Sequence, residues 1–251
     1  MGGVDTITIT TTNHEHESRL SDRDRLVVDG NAMCGRYTQT ASPENLMFRF
    51  GLTDQNEMFG PRYNLAPGQQ APVLIKDGSI TASLMQWGLV PSWAKDPSIG
   101  YKLINARAET LAEKPSFKRS LVNRRCLVLA DGFYEWRRSG RAKVPMRFIL
   151  KSREPFAFAG LWDRWRRPDG GELRSFTVIT TEANDFIRPI HHRMPVILSR
   201  EKEATWLESD LKEPARLLPL LTPYPSEEME GYDVSTLVNS PRNNGPECIE
   251  E

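Results

Sequence analysis

The apolar positions of this chain fall in short segments separated by turn residues. Residues 43–51 carry Leu46, Met47 and Phe50 at helical spacing, with Ser42 where a cap is needed, Pro43 in the first turn and Gly51 at the exit. That pattern predicts a short helix. Residues 71–76 and 80–90 flank Asp77-Gly78, a dipeptide that favours a tight hairpin turn, and so predict two paired strands. Further strands are predicted at 125–130, an apolar run with β-branched content, and at 133–137 and 144–150, where apolar and polar residues alternate. Residues 156–161 and 175–181 add two more, and 195–198 reads as a last core strand. Ser199 ahead of 200–207 predicts a capped helix with acids in its first turn. Asn105 stands where it could cap a helix over 106–111.

Roughly seven or eight strands and three or four short helices, without regular βαβ alternation, predict an α+β fold around a largely antiparallel, barrel-like sheet. Residues 1–32 show neither period and are polar, so a disordered extension absent from the mature protein is expected there. Residues 34–250 are expected to form one catalytic domain, ending after Leu218 in an irregular tail rich in Pro and Glu.

Charge changes the picture more than composition does. The 33 acids and 33 bases cancel overall, yet residues 34–206 hold 17 acids and 27 bases. A middle of about +10 is the footprint a polyanion partner requires, because each neutralised phosphate releases counterions. No apolar run approaches the ~20 residues of a membrane-spanning helix, and the first 32 residues lack an apolar signal core. A soluble, cytoplasmic protein, nucleoid-associated when on DNA, is expected. Cys34, Cys126 and Cys248 are far apart with no CxxC pairing, which argues against a disulfide framework or a zinc site. No metal or cofactor is expected.

The most informative residues are Met33-Cys34-Gly35-Arg36-Tyr37. A Met followed by small residues reads as a second translation start, and removal of Met33 would leave Cys34 with a free α-amine. An amine of pKa ~7.7–8.0 and a thiol of ~8.5 on one residue are both partly nucleophilic near neutrality, and nearby arginines favour the thiolate. With an aldehyde, the amine forms an imine and the thiol closes a five-membered thiazolidine. A lone Cys is more commonly a small buried hydrophobe. Other motifs weigh against that reading: Tyr63-Asn64-Leu65-Ala66-Pro67, Trp87-Gly88-Leu89-Val90-Pro91-Ser92-Trp93, Asn105-Ala106-Arg107-Ala108-Glu109-Thr110, Gly132-Phe133-Tyr134-Glu135-Trp136 and His191-His192-Arg193-Met194-Pro195.

Together, and in this order, these motifs closely resemble the SRAP family of abasic-site processing proteins, from Cys34 to about Cys248. The resemblance implies a sensor that binds single-stranded DNA containing abasic sites and shields each lesion by a covalent thiazolidine crosslink. It assigns the nucleophile to Cys34, a positioning amide to Asn105, an acid/base carboxylate to Glu135 and a proton-transfer imidazole to His191. An abasic sugar is mostly a closed hemiacetal, so a proton donor and acceptor must open it before the amine attacks. For DNA the resemblance favours Arg36, Arg107 and Arg193 as phosphate contacts, with Trp87, Trp93 and Pro67 as apolar faces for bases. The protein is expected to act as a monomer.

Each assignment has a plainer alternative: alternation could point Glu135 at solvent, His192 could replace His191, and Trp87 could be a core residue. The 33 residues before Cys34 depart from the family, whose chemistry needs that residue first. Either translation starts at Met33, the favoured reading, or the protein cuts itself before Cys34. Two other functions use the same residues: an N-terminal-nucleophile cysteine peptidase with His191 and Glu135 as partners, and a non-catalytic DNA reader with a basic cleft.

Overall fold

The computed structural model describes residues 35–53, 57–208 and 210–251. The 1–32 extension and Cys34 lie outside the described residues. From the N-terminal side the elements are β1 (Tyr37–Gln39), α1 (Pro43–Phe50), β2 (Arg62–Leu65), β3 (Gln70–Asp77), β4 (Ser79–Trp87) and β5 (Asn105–Arg107). α2 (Pro115–Asn123), β6 (Arg125–Ala130), β7 (Gly132–Ser139), β8 (Ala142–Leu150), β9 (Phe156–Arg166) and β10 (Glu172–Glu182) follow. The chain finishes with β11 (Arg193–Pro195), β12 (Ile197–Leu198), α3 (Arg200–Leu207), α4 (Pro214–Leu217) and β13 (Met229–Asp233).

Five strands close on themselves. β4 pairs with β3, β3 with β6, β6 with β9 and β9 with β10, all antiparallel. β10 returns to β4 in parallel, with Ser175 opposite Gln86 and Phe176 opposite Trp87. This ring is the barrel core of an α+β fold, as the sequence pattern predicts. β5 lies parallel to β10 just beyond β4, and β11 is antiparallel to the same strand. A second sheet runs in the order β13-β8-β7-β1-β2. No helix among the described residues is long and apolar enough to cross a membrane.

Alternation explains how the two sheets and the helices share one barrel. Cys126, Val128 and Ala130 of β6 join Val73 of β3, Phe156 and Phe158 of β9 and Phe176 of β10 in one core. Tyr37, Phe133 and Phe148 of the second sheet complete it. The intervening Leu127 and Leu129 pack the opposite way, with Leu46 of α1, Leu121 of α2 and Trp206 of α3. Strands buried on both faces read as unbroken apolar runs, which is why 125–130 looked continuous rather than alternating. Each fully buried Phe contributes about 1.5–3 kcal/mol relative to exposure.

α1 has the predicted signals: Ser42 Oγ accepts from Asn45 N–H at 3.3 Å, and Gly51 exits left-handed at φ 64°. The Asp77-Gly78 hairpin also forms, with Asp77 opposite Ser79. Several expectations are corrected. Ser199 holds the cap position of α3 but makes no side-chain capping bond. Residues 105–107 are a strand, because β10 offers them a partner, and the helix expected over 106–111 is a 3-10 turn, Ala108–Thr110, with Arg107 rather than Asn105 at its cap position. The tail after Leu218 is not simply irregular: β13 pairs with β8 from Met229↔Leu150 to Asp233↔Met146.

Candidate active site

Glu135 sits on β7 between two strands. On one side β8 sets Met146 opposite it. On the other, Tyr37 pairs with Phe133 and Tyr134 N–H donates to Arg36 O at 3.1 Å. Continued by one residue pair, that register stands Gly35 opposite Glu135. Phe133, two residues back and on the same face, packs on Phe148 and Phe158 with centroids 5.4 and 6.2 Å apart. Glu135 therefore points to the buried side and is 4% exposed, not turned to solvent. A carboxyl so placed faces the covalent neighbour of Cys34 from the adjoining strand.

Asn105 opens β5 opposite Val178. The preceding residue, Ile104, accepts a 2.8 Å hydrogen bond from the Trp87 indole, and Trp87 meets Tyr37 edge-on at 5.1 Å. Asn105 and Glu135 thus flank one Tyr37–Trp87 contact. His191 follows Ile190, which packs on the same core. Asn105 and His191 each follow an isoleucine packed against the hydrophobic cluster that includes Phe133, two residues before Glu135.

His191 is half-buried and His192 exposed, their rings stacked at 4.6 Å. Nδ1 of His191 lies 3.1 Å from both the N–H and the C=O of Arg193. When Nδ1 donates to that carbonyl, Nε2 is left as a base. When Nδ1 accepts from that N–H, Nε2 carries the proton and acts as an acid. One frame therefore serves proton transfer in either direction. Burial, and secondarily the His192 and Arg193 charges, outweigh the carbonyl bond and hold the imidazole below its ordinary pKa.

Three residues expected at the DNA are committed elsewhere. Trp87 is a core residue, 2% exposed, edge-on to Tyr37 and parallel to Phe176. Its faces are filled, so no base can stack there. Arg193 is buried and grips Glu109 with two bonds of 2.7 and 2.9 Å while donating to Thr180 O at 2.7 Å. Burial raises the pKa of Glu109, but the bonds and charge of Arg193 bring it below the usual carboxylate value. Arg193 thereby ties β10, β11 and the turn after β5 together.

Arg36 is likewise interior, 4% exposed, donating to Asn64 Oδ1 at 2.9 Å and to the carbonyls of Val238 and Asn239 at 2.7 and 3.2 Å. Asn64 Nδ2 in turn reaches the carbonyls of Val238, Ser240 and Asn243. Tyr134 Oη lies 2.7 and 3.2 Å from the carbonyls of Tyr63 and Cys248. The segment 238–248 is therefore a strap across β1, β2 and β7. Arg107 and Trp93 are exposed, Pro67 half-exposed.

Sequence reasoning missed Asn64 and Glu109 as anchors, although both lie inside the quoted motifs. Asn64 lies in the four-residue β2 and Glu109 in the 3-10 turn Ala108–Thr110, both too short to show a period. Cys126 and Cys248 are both buried, and desolvation raises both thiols above their ordinary pKa, so neither is a competent nucleophile.

The pattern describing "SOS response associated peptidase (SRAP)" matches residues 33–241. The chain is 49% identical over 223 residues to the abasic site processing protein YoqW of Bacillus subtilis, covering 87% of this chain and 99% of that protein. It is 34% identical over 265 residues to the abasic site processing protein HMCES of Xenopus tropicalis, covering 86% of this chain and 78% of that one. A crystal structure of a protein from Bacteroides thetaiotaomicron superposes with a TM-score of 0.79 at 30% identity, covering 86% of this chain and 99% of that chain.

Proposed function

Since the chain belongs to the SRAP family, we propose that it processes abasic sites in single-stranded DNA, forming a thiazolidine crosslink through Cys34. The observation that carries this reading is the burial of Glu135 one residue past the Tyr134–Arg36 hydrogen bond, while the thiols of Cys126 and Cys248 are sealed.

His191 opens the closed sugar by moving a proton between its ring oxygen and the C1′ hydroxyl, leaving C1′ as an aldehyde. The Cys34 amine adds to C1′ and water leaves, giving an imine, with Glu135 supplying and reclaiming the protons. The Cys34 sulfur then adds to the same carbon and its proton passes to the nitrogen, closing the ring. One water is released overall. Asn105 holds the amine or the sugar hydroxyl in line. All of this needs a free amine at Cys34, and hence a chain that begins there.

The test is intact mass. Protein made from its native gene should begin at Cys34, and incubation with an abasic oligonucleotide should add the mass of the DNA less one water, in a heat-stable adduct that Cys34→Ala abolishes. Protein that keeps residues 1–33 and still crosslinks at full rate refutes the scheme. The peptidase reading is favoured by the family's own description. It predicts turnover of peptide substrates and no lasting adduct on DNA.

A further inference from the structure

The loop joining β4 to β5 bears two exposed aromatic rings, Trp93 at 57% and Tyr101 at 47%. Only Trp93 figures in the reading above. We propose that Tyr101, beside the Pro67-Gly68 turn, is a further stacking platform for a base of single-stranded DNA flanking the lesion. This inference rests on the DNA-binding reading and extends it to a named contact.

The backbone under Tyr101 is pinned on both sides. Asp96 Oδ1 accepts from Ser98 N–H at 2.8 Å and starts the 3-10 turn Pro97–Lys102. Gly100 and Gly88 touch back to back: a Cβ on Gly100 would fall 2.8 Å from Gly88 O, and one on Gly88 2.7 Å from Gly100 O. Neither position can carry a side chain without separating the two segments. Leu89 N–H donates to Leu103 O at 3.1 Å, and the Trp87 indole holds Ile104 O. Tyr101 is thus a large ring left in water on a fixed frame, and binding there forfeits little backbone entropy.

Its surroundings suit a nucleotide. A Cβ on Gly68 would lie 3.7 Å from Tyr101 Cε1, so the ring stands against the turn that Pro67 begins. That turn is itself anchored, Gly68 N–H donating to Trp87 O at 2.8 Å. Lys95, Lys102 and Arg107 are exposed along the same stretch, cations for a phosphate backbone. Tyr101 precedes Asn105 by four residues, so their Cα atoms are at most roughly 14 Å apart. At about 3.4 Å per stacked nucleotide that is a span of a few bases. Every base has a π-face, so an aromatic platform here holds the strand without reading its sequence.

Binding of undamaged, fluorescein-labelled oligothymidine excludes any covalent step. Tyr101→Ala should weaken it by about fivefold or more, Tyr101→Phe should stay within about twofold of wild type, and Tyr101→Leu should resemble Ala because an aliphatic side chain has no π-face. 2-Aminopurine walked along the oligonucleotide should be quenched at one position in the wild-type complex, and that quenching should disappear in Tyr101→Ala. Wild-type affinity in Tyr101→Ala, or in Tyr101→Leu, overturns the proposal while leaving DNA binding intact. Failure of the wild-type protein to bind oligothymidine overturns the DNA reading beneath it.

Discussion

His191 shows how a single side chain sets the conditions of the reaction. Burial favours its uncharged form, so its pKa lies below the ordinary imidazole value of ~6.5 and the ring is neutral at pH 7. As pH falls through that lowered pKa the base is lost, and single-turnover crosslinking should fall more steeply below about 6.5, in addition to the loss of free α-amine that sets in at higher pH. A second limb at ~7.7–8.0 belongs to the α-amine. His191→Gln should flatten the lower limb and leave the upper one, as measured across pH 5 to 8. The two tryptophans of one motif separate just as sharply. Trp87→Ala empties a filled core site and should cost about 3–5 kcal/mol in denaturant unfolding. Trp93→Ala should change stability by less than about 0.5 kcal/mol and weaken oligonucleotide binding instead. Equal unfolding midpoints in the two variants would refute this division.

At the level of elements, the legible strands were those whose own length displayed a period. β6, β7 and β8 each show a run or an alternation long enough to read, and all appear where the pattern places them. β1, β5 and β11 have three residues apiece, too few for any period, and exist because a longer neighbour supplies hydrogen-bond partners. For the same reason the interior roles of Arg36 and Arg193 were hidden. An arginine in a basic chain reads as a surface cation, and only the fold reveals carbonyls and carboxylates that reward burying it. Asn64 tests the strap directly. Its amide spans the Arg36 guanidinium and three carbonyls of the C-terminal segment, so Asn64→Ala should cost about 1–3 kcal/mol. Hydrogen exchange should rise in both 35–39 and 236–248. Faster exchange in the tail alone would mean that the strap does not hold β1.

Across the whole molecule, the motifs were visible in sequence as separate words, while the strand pairings that distribute them over two sheets were not. Asn105, Glu135 and His191 lie tens of residues apart in sequence, Asn105 on β5 beside β10, Glu135 on β7 of the second sheet and His191 just ahead of β11, which pairs with β10. The strap adds an order in time. Translation delivers Val238 and Asn239 some two hundred residues after Arg36, so the buried cation lacks its two tail carbonyls while the chain is still being made. The bonds that join Arg36 to the tail therefore form last, after β1 has its partners β2 and β7 within reach.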